Sequence, residues 1–550
     1  MTGLVIRHHL ADPVLRRALT EARWAQDAGF DPLEVLPLLP ASATGQASRP
    51  EAVLVVVDHV ADESQATALD DAITSLARRA PTILVGATLQ ALPHLADAVG
   101  VQPGDWTPRH EVRLRPEPSL DPRSREDLLT TDRLLLPDKV RDDVVVLATA
   151  NVGFRDFPVA TWAPDTGLGF LAFGSDPGTW ARRGVLRLVK HLARATLGLT
   201  DPADVRVGMI GYGAIGHEHA LAVEAVPGLR LCAVSDLDPT RVAVARTVAG
   251  DVHVHAEAAG LLGDPDVDCV VVSTPPNSHA AWARQALRAG KHVVLEKPMA
   301  LTVAECDEVL DLARQVERHV VVYQNRRFDP DYLVLRRLVG EGAIGELFHL
   351  ESFVGGYSHP CNYWHSDAAV SGGAIFDWGS HYLDQVLDLM PGAIRHVSAA
   401  NHKRRWHDVT NADHSRVTLH YTDGREAEFV HSDLAAATKP KWLALGTDGA
   451  IVGHWRSERV VARTAIGTLA EDRLAPADSP ADMTLHSPDG SVTALAVPAP
   501  PQHAFHRELA DRLLRGLPMT VRAEHSRQVV AVMQAAEESA RRHSLPVDVA

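Results

Sequence analysis

The stretch that most restricts how this chain folds is Val205-Arg206-Val207-Gly208-Met209-Ile210, followed directly by Gly211-Tyr212-Gly213-Ala214-Ile215-Gly216. An apolar run breaks into three glycines at G-x-G-x-x-G spacing. Gly211 permits a tight turn, Gly213 lets the backbone approach a pyrophosphate, and Gly216 lets the next helix pack close to the strand. That helix presents unpaired N–H groups and the positive end of its dipole to the phosphates. A second apolar run, Leu231-Cys232-Ala233-Val234-Ser235, ends in Asp236. The separation from Gly216 suits a ribose-binding carboxylate, which stands about 20 residues beyond such a loop. The spacing therefore predicts a dinucleotide site built from Gly211, Tyr212, Gly213, Ala214, Ile215, Gly216 and Asp236. Asp236 favours NAD, because a carboxylate accepts the ribose 2′-hydroxyl and repels a 2′-phosphate. Arg241 lies close enough in sequence to keep NADP compatible.

The glycine loop begins only after residue 204, so a separate unit precedes it. At 550 residues the chain exceeds one core, and at about 100–200 residues per domain three or four are expected. A formal charge of −16 argues against a general nucleic-acid or anionic-membrane binder. The four cysteines (Cys232, Cys269, Cys306, Cys361) have no CxxC spacing. With no signal peptide and no long apolar run, they read as reduced thiols of a cytoplasmic protein.

Residues 1–200 alternate apolar runs with helical patterns. Leu4-Val5-Ile6, Leu33 to Leu38, Val53 to Val57, Thr82 to Val85 and Val144 to Leu147 read as strands. Pro13 to Ala28, Ala66 to Arg79 and Trp180 to Thr196 read as helices, and Gln102 to Asp127 as a long proline-rich surface excursion. The pattern predicts an α/β domain with a parallel sheet between helices. Its close, Leu168-Gly169-Phe170-Leu171-Ala172-Phe173-Gly174 before a Trp-containing helix, resembles ThuA-like domains, a branch of the class I glutamine-amidotransferase-like fold. The resemblance implies a flavodoxin-like or amidotransferase-like α/β domain. Amidotransferase chemistry itself needs a cysteine nucleophile on a strained strand-to-helix turn, and the first cysteine is Cys232. A hydroxyl substitute near Thr88 has no triad partners beside it, so a structural role is expected for this domain.

Residues 204–325 continue as βα units: strands at Val267 to Val272, Lys291 to Leu295 and His319 to Tyr323, helices at Pro239 to Ala249, His279 to Ala289 and Val303 to Glu317. From residue 326 to 550 the texture changes to strands joined by turns such as Tyr421-Thr422-Asp423-Gly424-Arg425. A helix from about Ile375 to Met390 interrupts them and two more close the chain. This predicts an α+β domain with an open, mostly antiparallel sheet.

Several motifs now stand in order. After the glycine loop come Ser273-Thr274-Pro275-Pro276-Asn277-Ser278-His279, then Glu296-Lys297-Pro298, then Asn325-Arg326-Arg327-Phe328. Last is Gly372-Gly373-Ala374-Ile375-Phe376-Asp377-Trp378-Gly379-Ser380-His381-Tyr382-Leu383-Asp384. Over residues 204–550 this resembles the Gfo/Idh/MocA family of NAD(P)-dependent oxidoreductases. The resemblance implies a Rossmann domain, then an α+β domain whose sheet packs against a partner subunit in a homo-oligomer. It implies NAD or NADP as cofactor, and sugars, sugar derivatives or polyols as substrates. It assigns Lys297, Asp377 and His381 to catalysis, and Thr274, Pro276, His279, Glu296 and Lys297 to the nicotinamide end of the cofactor site.

The chemistry suits those residue types. Hydride leaves a secondary alcohol together with the hydroxyl proton, and an imidazole titrating near neutrality is a good acceptor. A lysine ammonium stabilises alkoxide character. Asp377 and His381 stand at i and i+4, on one face of a helix that has already begun there. Asp384 is either a supporting carboxylate or a helix-surface one. Tyr363 and Trp364 are candidates for stacking on a sugar ring, and Arg326 for reaching substrate. His217-Glu218-His219 and the pair His402, His407 match metal-ligand spacings only loosely, so no metal is expected.

The leading functional expectation is an NAD-dependent dehydrogenase or reductase acting on a secondary hydroxyl of a sugar, glycoside or cyclitol. A second is 3-keto sugar processing, or redox-neutral glycoside cleavage with bound NAD, because ThuA-like proteins accompany 3-keto sugar metabolism. A third, from another class, is a sugar- or NAD-sensing regulator. The presence of both Lys297 and His381 argues against it.

Overall fold

The computed structural model describes residues 3–9, 33–37, 51–107, 110–116, 127–131, 133–152, 155–174, 189, 196, 203–361, 363–464, 467–474 and 479–549. The chain forms two compact units. One comprises Met1–Asp204 with Arg507–Met519, the other Val205–His506 with Thr520–Ala550.

In the first unit the strands are β1 (Gly3–His9), β2 (Leu33–Pro37), β3 (Glu51–Val57), β4 (Thr82–Val85), β5 (Val101–Trp106) and β6 (His110–Pro116). After these come β7 (Asp127–Thr131), β8 (Leu135–Val140), β9 (Val145–Val152), β10 (Arg155–Ala163) and β11 (Leu168–Leu171). Nine of them form one sheet in the order β2-β1-β3-β4-β11-β10-β9-β6-β7. From β2 to β11 neighbours run parallel; from β11 to β7 they alternate antiparallel. The β-branched runs of β3 and β4 lie at its centre, Val53 to Val57 and Ile83 to Val85 all being buried. The helix Glu63–Ala77, capped by the Asp62 carboxylate on the Gln65 N–H, covers them.

Two expectations for this unit are corrected. The sheet is mixed, where an all-parallel one was predicted. The stretch Gln102 to Asp127, read as an excursion, contains strands β5 and β6. Its prolines misled because Pro116 sits at a strand end and Pro103 in the separate two-stranded ladder of β5 with β8, where a missing N–H is tolerated. The helix expected over Pro13 to Ala28 lies outside the described residues; of that over Trp180 to Thr196 only Val189 and Thr196 are described, both helical. Thr88 follows the β4-to-helix turn but is fully buried. Its hydroxyl donates to Val55 O at 3.0 Å and accepts the Val57 N–H at 2.9 Å. It fastens β3 to the helix and offers no free nucleophile.

The second unit opens with β12 (Val205–Ile210), β13 (Leu229–Ser235), β14 (His253–Val254), β15 (Cys269–Val272), β16 (His292–Leu295) and β17 (Val320–Val322). They form a parallel sheet ordered β14-β13-β12-β15-β16-β17, the doubly wound Rossmann arrangement. Local chemistry sets its helices. Pro239 begins one at its first position behind the Asp238 cap, and a full capping box joins Thr302 and Glu305 at the start of Val303–Gln315.

The chain then builds β18 (Leu347–Gly355), β19 (Ile394–His402), β20 (His414–Tyr421), β21 (Glu426–Ser432), β22 (Trp442–Gly446) and β23 (Gly449–His454). A hairpin of β24 (Ser457–Thr464) with β25 (Gly467–Leu474) precedes β26 (Asp482–His486) and β27 (Val492–Leu495). The sheet order is β19-β20-β21-β18-β22-β23-β26-β27. Only β18 with β21 is parallel among its pairs; the others are antiparallel. The helix Ala374–Leu389 buries most of its length on this sheet, with Tyr382 stacked over Phe429 at 5.8 Å and tilted toward Trp442 at 5.5 Å. One apolar core runs from β15 and β16 through this helix into Ala523–Arg541.

Candidate active site

A groove of about 1510 Å³ lies along the carboxyl ends of β12, β13, β15 and β16, where ligands of such sheets bind. Gly211 has φ +88°, and a Cβ there would stand 2.8 Å from Ser273 O. A Cβ on Gly216 would stand 2.7 Å from Gly211 O. At Gly213 the same position meets only Arg241, at 3.9 Å, so this glycine leaves open space at the groove. The helix Ala214–Ala225 starts at Gly213 with no side-chain cap, leaving its first-turn N–H groups available. Asp236 is fixed by accepting the Tyr212 N–H at 2.6 Å and the Asp238 N–H at 2.7 Å, with Arg241 3.8 Å away. Open space at Gly213, an uncapped helix end and a fixed carboxylate fit a dinucleotide. Gly211, Gly213, Ala214, Ile215, Asp236, Thr274, Pro276, Glu296 and Lys297 line the groove.

A second cavity, of about 470 Å³, opens beside it. Lys297, Tyr363, His365, Asp377 and His381 line both spaces. Lys297 follows β16, with a cis peptide to Pro298. Its ammonium donates to the Asp377 carboxylate at 2.9 Å and to the Asp377 carbonyl at 3.2 Å. The helix begins at Ala374, so Asp377 and His381 share the face that lines the cavity. Burial alone would raise the Asp377 carboxyl, but the Lys297 charge and hydrogen bond hold it below its ordinary value. His381 is pushed well below its usual range by burial, with Lys297 and Arg326 adding to the effect. Its imidazole is therefore neutral, and its buried Nδ1 has no hydrogen-bond partner among the described residues. Arg326 reaches the same cavity and lies over the Trp378 ring at 5.4 Å. Tyr363 and Trp364 stand at the groove, Trp364 stacked on His365 at 3.6 Å.

Several cavity residues escaped the sequence reading. His365 directly follows Tyr363-Trp364, and its adjacency was the available signal. Burial holds it neutral, below its usual value. Asn411, His431 and Asp433 arrive from β20 and β21 and their loops, far along the chain, with no motif of their own. Burial brings His431 down to about 4. Burial together with the nearby Asp413 and Asp377 pushes the Asp433 carboxyl up to about 7. At neutral pH this carboxyl is partly protonated and can donate a hydrogen bond.

Behind the groove, buried His219 ties the glycine-loop helix to Glu296. A carboxylate only accepts, so His219 Nε2 donates to Glu296 at 2.9 Å, leaving Nδ1 to accept from His506 Nε2 at 2.8 Å. Glu296 in turn accepts the Lys297 N–H at 3.1 Å. Tyr212, His279 and Asp384 line neither space. The Tyr212 side chain is buried and turned to His217, while its backbone N–H serves Asp236. His279 is fully buried beneath the loop, joining Thr274 O at 2.7 Å and Pro298 O at 2.8 Å. Asp384 is buried against Arg327, away from the cavity. Among the described residues one trio has metal-ligand spacing, His253, His255 and Asp264. Both imidazoles already hydrogen-bond one Asp264 oxygen, at 3.3 and 3.0 Å. No described helix is long and apolar enough to cross a membrane.

Known proteins share this architecture. The model of the oxidoreductase family with NAD-binding Rossmann fold matches residues 205–324, and that of the GFO/IDH/MocA C-terminal domain matches 332–452. The chain is 32% identical over 260 residues to the uncharacterized oxidoreductase YdgJ of Escherichia coli, covering 46% of this chain and 71% of that protein. It is 26% identical to scyllo-inositol 2-dehydrogenase (NADP(+)) IolW of Bacillus subtilis, covering 61% and 94% respectively. A solved NAD-binding protein from Listeria innocua superposes with a TM-score of 0.54 at 27% identity, over 63% of this chain and 97% of that one.

Proposed function

The chain belongs to the Gfo/Idh/MocA family of NAD(P)-dependent oxidoreductases, and from that premise we propose that it moves hydride between a nicotinamide cofactor and a secondary hydroxyl of a sugar, glycoside or cyclitol. The observation that carries this reading is that Lys297, Asp377 and His381 line both the dinucleotide groove and the neighbouring polar cavity. A carbon held in the cavity thus lies against whatever the groove presents. The nicotinamide, when bound, supplies the hydride acceptor, or the donor in the reverse direction. Lys297, paired with Asp377 at 2.9 Å, stabilises negative charge on the reacting oxygen. Neutral His381, which lines both spaces, accepts the hydroxyl proton. Inositol dehydrogenation by the Bacillus relative supports a polyol substrate. Asp236 favours NAD, and Arg241 beside it is compatible with NADP. Homo-oligomerisation through the sheet of β18 to β23 is part of this reading.

For the first unit we infer a flavodoxin-like, ThuA-related domain. The parallel order β2-β1-β3-β4-β11 supports it, since 2-1-3-4-5 is the flavodoxin-like order. Thr88 is engaged with β3 and no cysteine precedes Cys232, so an amidotransferase role is not proposed. Mass spectrometry of the protein as isolated, followed by a polyol panel read at the reduced-nicotinamide absorbance, tests the main reading. A bound dinucleotide and turnover of at least one sugar or cyclitol are expected. Absence of both would defeat it.

A further inference from the structure

Beside the cavity, against its lining residues His359 and Asp433, stands a cluster of aromatic and charged groups. The loop after β18 brings Tyr357 and His359; the loop between β19 and β20 brings Arg405, Trp406 and Asp408. Trp406 meets His359 edge-on at 4.7 Å and Tyr357 at 6.3 Å. The Arg405 guanidinium lies over both rings, 4.8 Å from Trp406 and 5.7 Å from Tyr357. His359 Nε2 pairs with Asp408 at 2.9 Å, and Trp406 Nε1 donates to Asp433 O at 3.4 Å. His359 and Asp433 line the cavity, so the cluster is continuous with it.

This cluster is neither core nor loose surface. Tyr357 is 53% exposed even with Arg405 and Trp406 against it. Yet the loop beneath is rigidly held. Buried Asp413 accepts the backbone N–H groups of Arg404 at 2.5 Å, Arg405 at 2.7 Å and Trp406 at 3.4 Å, and pairs with Lys403 at 2.9 Å. An aromatic surface fixed in place, covered on one side by Arg405 and edged by Asp408 and His359, suits a pyranose ring. Such a ring offers an apolar C–H face and hydroxyls around its rim. Tyr357, Arg405 and Trp406 line neither the groove nor the cavity, so a single ring held in the cavity against Lys297 and His381 leaves them unused.

We propose that Trp406, Tyr357 and Arg405 form a second sugar subsite, so that the substrate is a glycoside carrying a second pyranose ring. The first ring enters the cavity and the second rests on the aromatic surface. This rests on the dehydrogenase reading for the first ring, though the subsite itself is a binding claim.

The test titrates the full-length protein, saturated with NAD⁺, with glucose and myo-inositol and with the disaccharides maltose, cellobiose, trehalose and sucrose. Binding is followed by isothermal titration and hydride transfer by absorbance. At least one disaccharide is expected to bind about tenfold more tightly than either single-ring compound, the scale of one good aromatic contact. In Trp406→Ala the advantage collapses. Tyr357→Ala, at an exposed position where folding is not at stake, reduces it in the same direction. Disaccharides that bind no better than single rings, or an advantage that survives both variants, would overturn the subsite while leaving hydride transfer to single rings intact. Disaccharide binding that depends on Trp406, without hydride transfer to any sugar, would instead uphold the subsite and defeat the redox reading.

Discussion

Lys297 and Asp377 form a half-buried ion pair whose two members depend on each other. Lys297→Ala removes the charge that holds the Asp377 carboxyl down and that stabilises the reacting oxygen. Turnover is expected to fall by about 10²–10³-fold, the range for losing one such electrostatic group. Dinucleotide affinity, set mainly by the glycine loop and Asp236, should change only a few-fold. Stopped-flow rates and a dinucleotide titration of the same preparation separate the two. Asp433 gives a prediction of opposite sign. Its folded-state value, about 7, lies above the ordinary carboxyl value of 3.8. The folded chain therefore binds that proton more tightly than the unfolded one. The stability this brings is full below pH 4 or so and is lost as pH rises through about 7. Asp433→Asn cannot ionise, so urea denaturation should show the variant gaining on the parent at pH 8 by roughly 3–4 kcal/mol, and not at pH 4. An equal difference at both pH values would mean that burial of the charge is not what raises the carboxyl.

The strand–loop–helix element around Gly211 separates folding from binding in adjacent glycines. Gly211 needs a positive φ and has Ser273 O where a Cβ would sit, so Gly211→Ala strains the backbone by about 1–3 kcal/mol. Gly213 has φ −75° and ψ −164°, which any residue adopts, with only Arg241 near its Cβ position. Gly213→Ala should leave the melting temperature within a few degrees yet weaken dinucleotide binding at least tenfold by occupying the phosphate approach, as a thermal-shift titration would read. Elements of this kind were legible in the sequence because their chemistry is local. The glycine spacing, Asp236 at the next strand end, Lys297 after a buried strand, and Asp377 with His381 on one helical face each require only neighbouring residues to be seen. His365, Asn411, His431 and Asp433 were not legible. Sheet pairing that spans tens of residues carries the last three to the cavity, and no periodicity marks them. His219 was visible as part of His217-Glu218-His219, but its bond to Glu296, 77 residues away, depends on how helix and strand pack. Strand β6 was missed for a similar reason. Its charges and terminal proline read as loop until β7 and β9 are placed on either side of it.

At the scale of the whole molecule, each unit has a hydrophobic core of its own. One is centred on β3, β4 and β11, the other runs from the Rossmann strands into the closing helices. The dinucleotide groove and the polar cavity are lined entirely by residues of the second unit. Separate cores of this size unfold as separate cooperative units, and a ligand stabilises only the unit whose folded state it binds. Calorimetry of the intact protein is therefore expected to show two transitions. A saturating dinucleotide at about 100 times its Kd should add about 2.7 kcal/mol to one of them, which moves its midpoint upward by several degrees. The other should stay in place, and in Gly213→Ala, bound about tenfold more weakly, the shift at that concentration should fall to about half. A single transition that shifts as a whole would show that the cores unfold together, with the first unit feeling what binds in the second. In that case its role would be sought in the oxidoreductase cycle, before any separate chemistry on a product of that cycle.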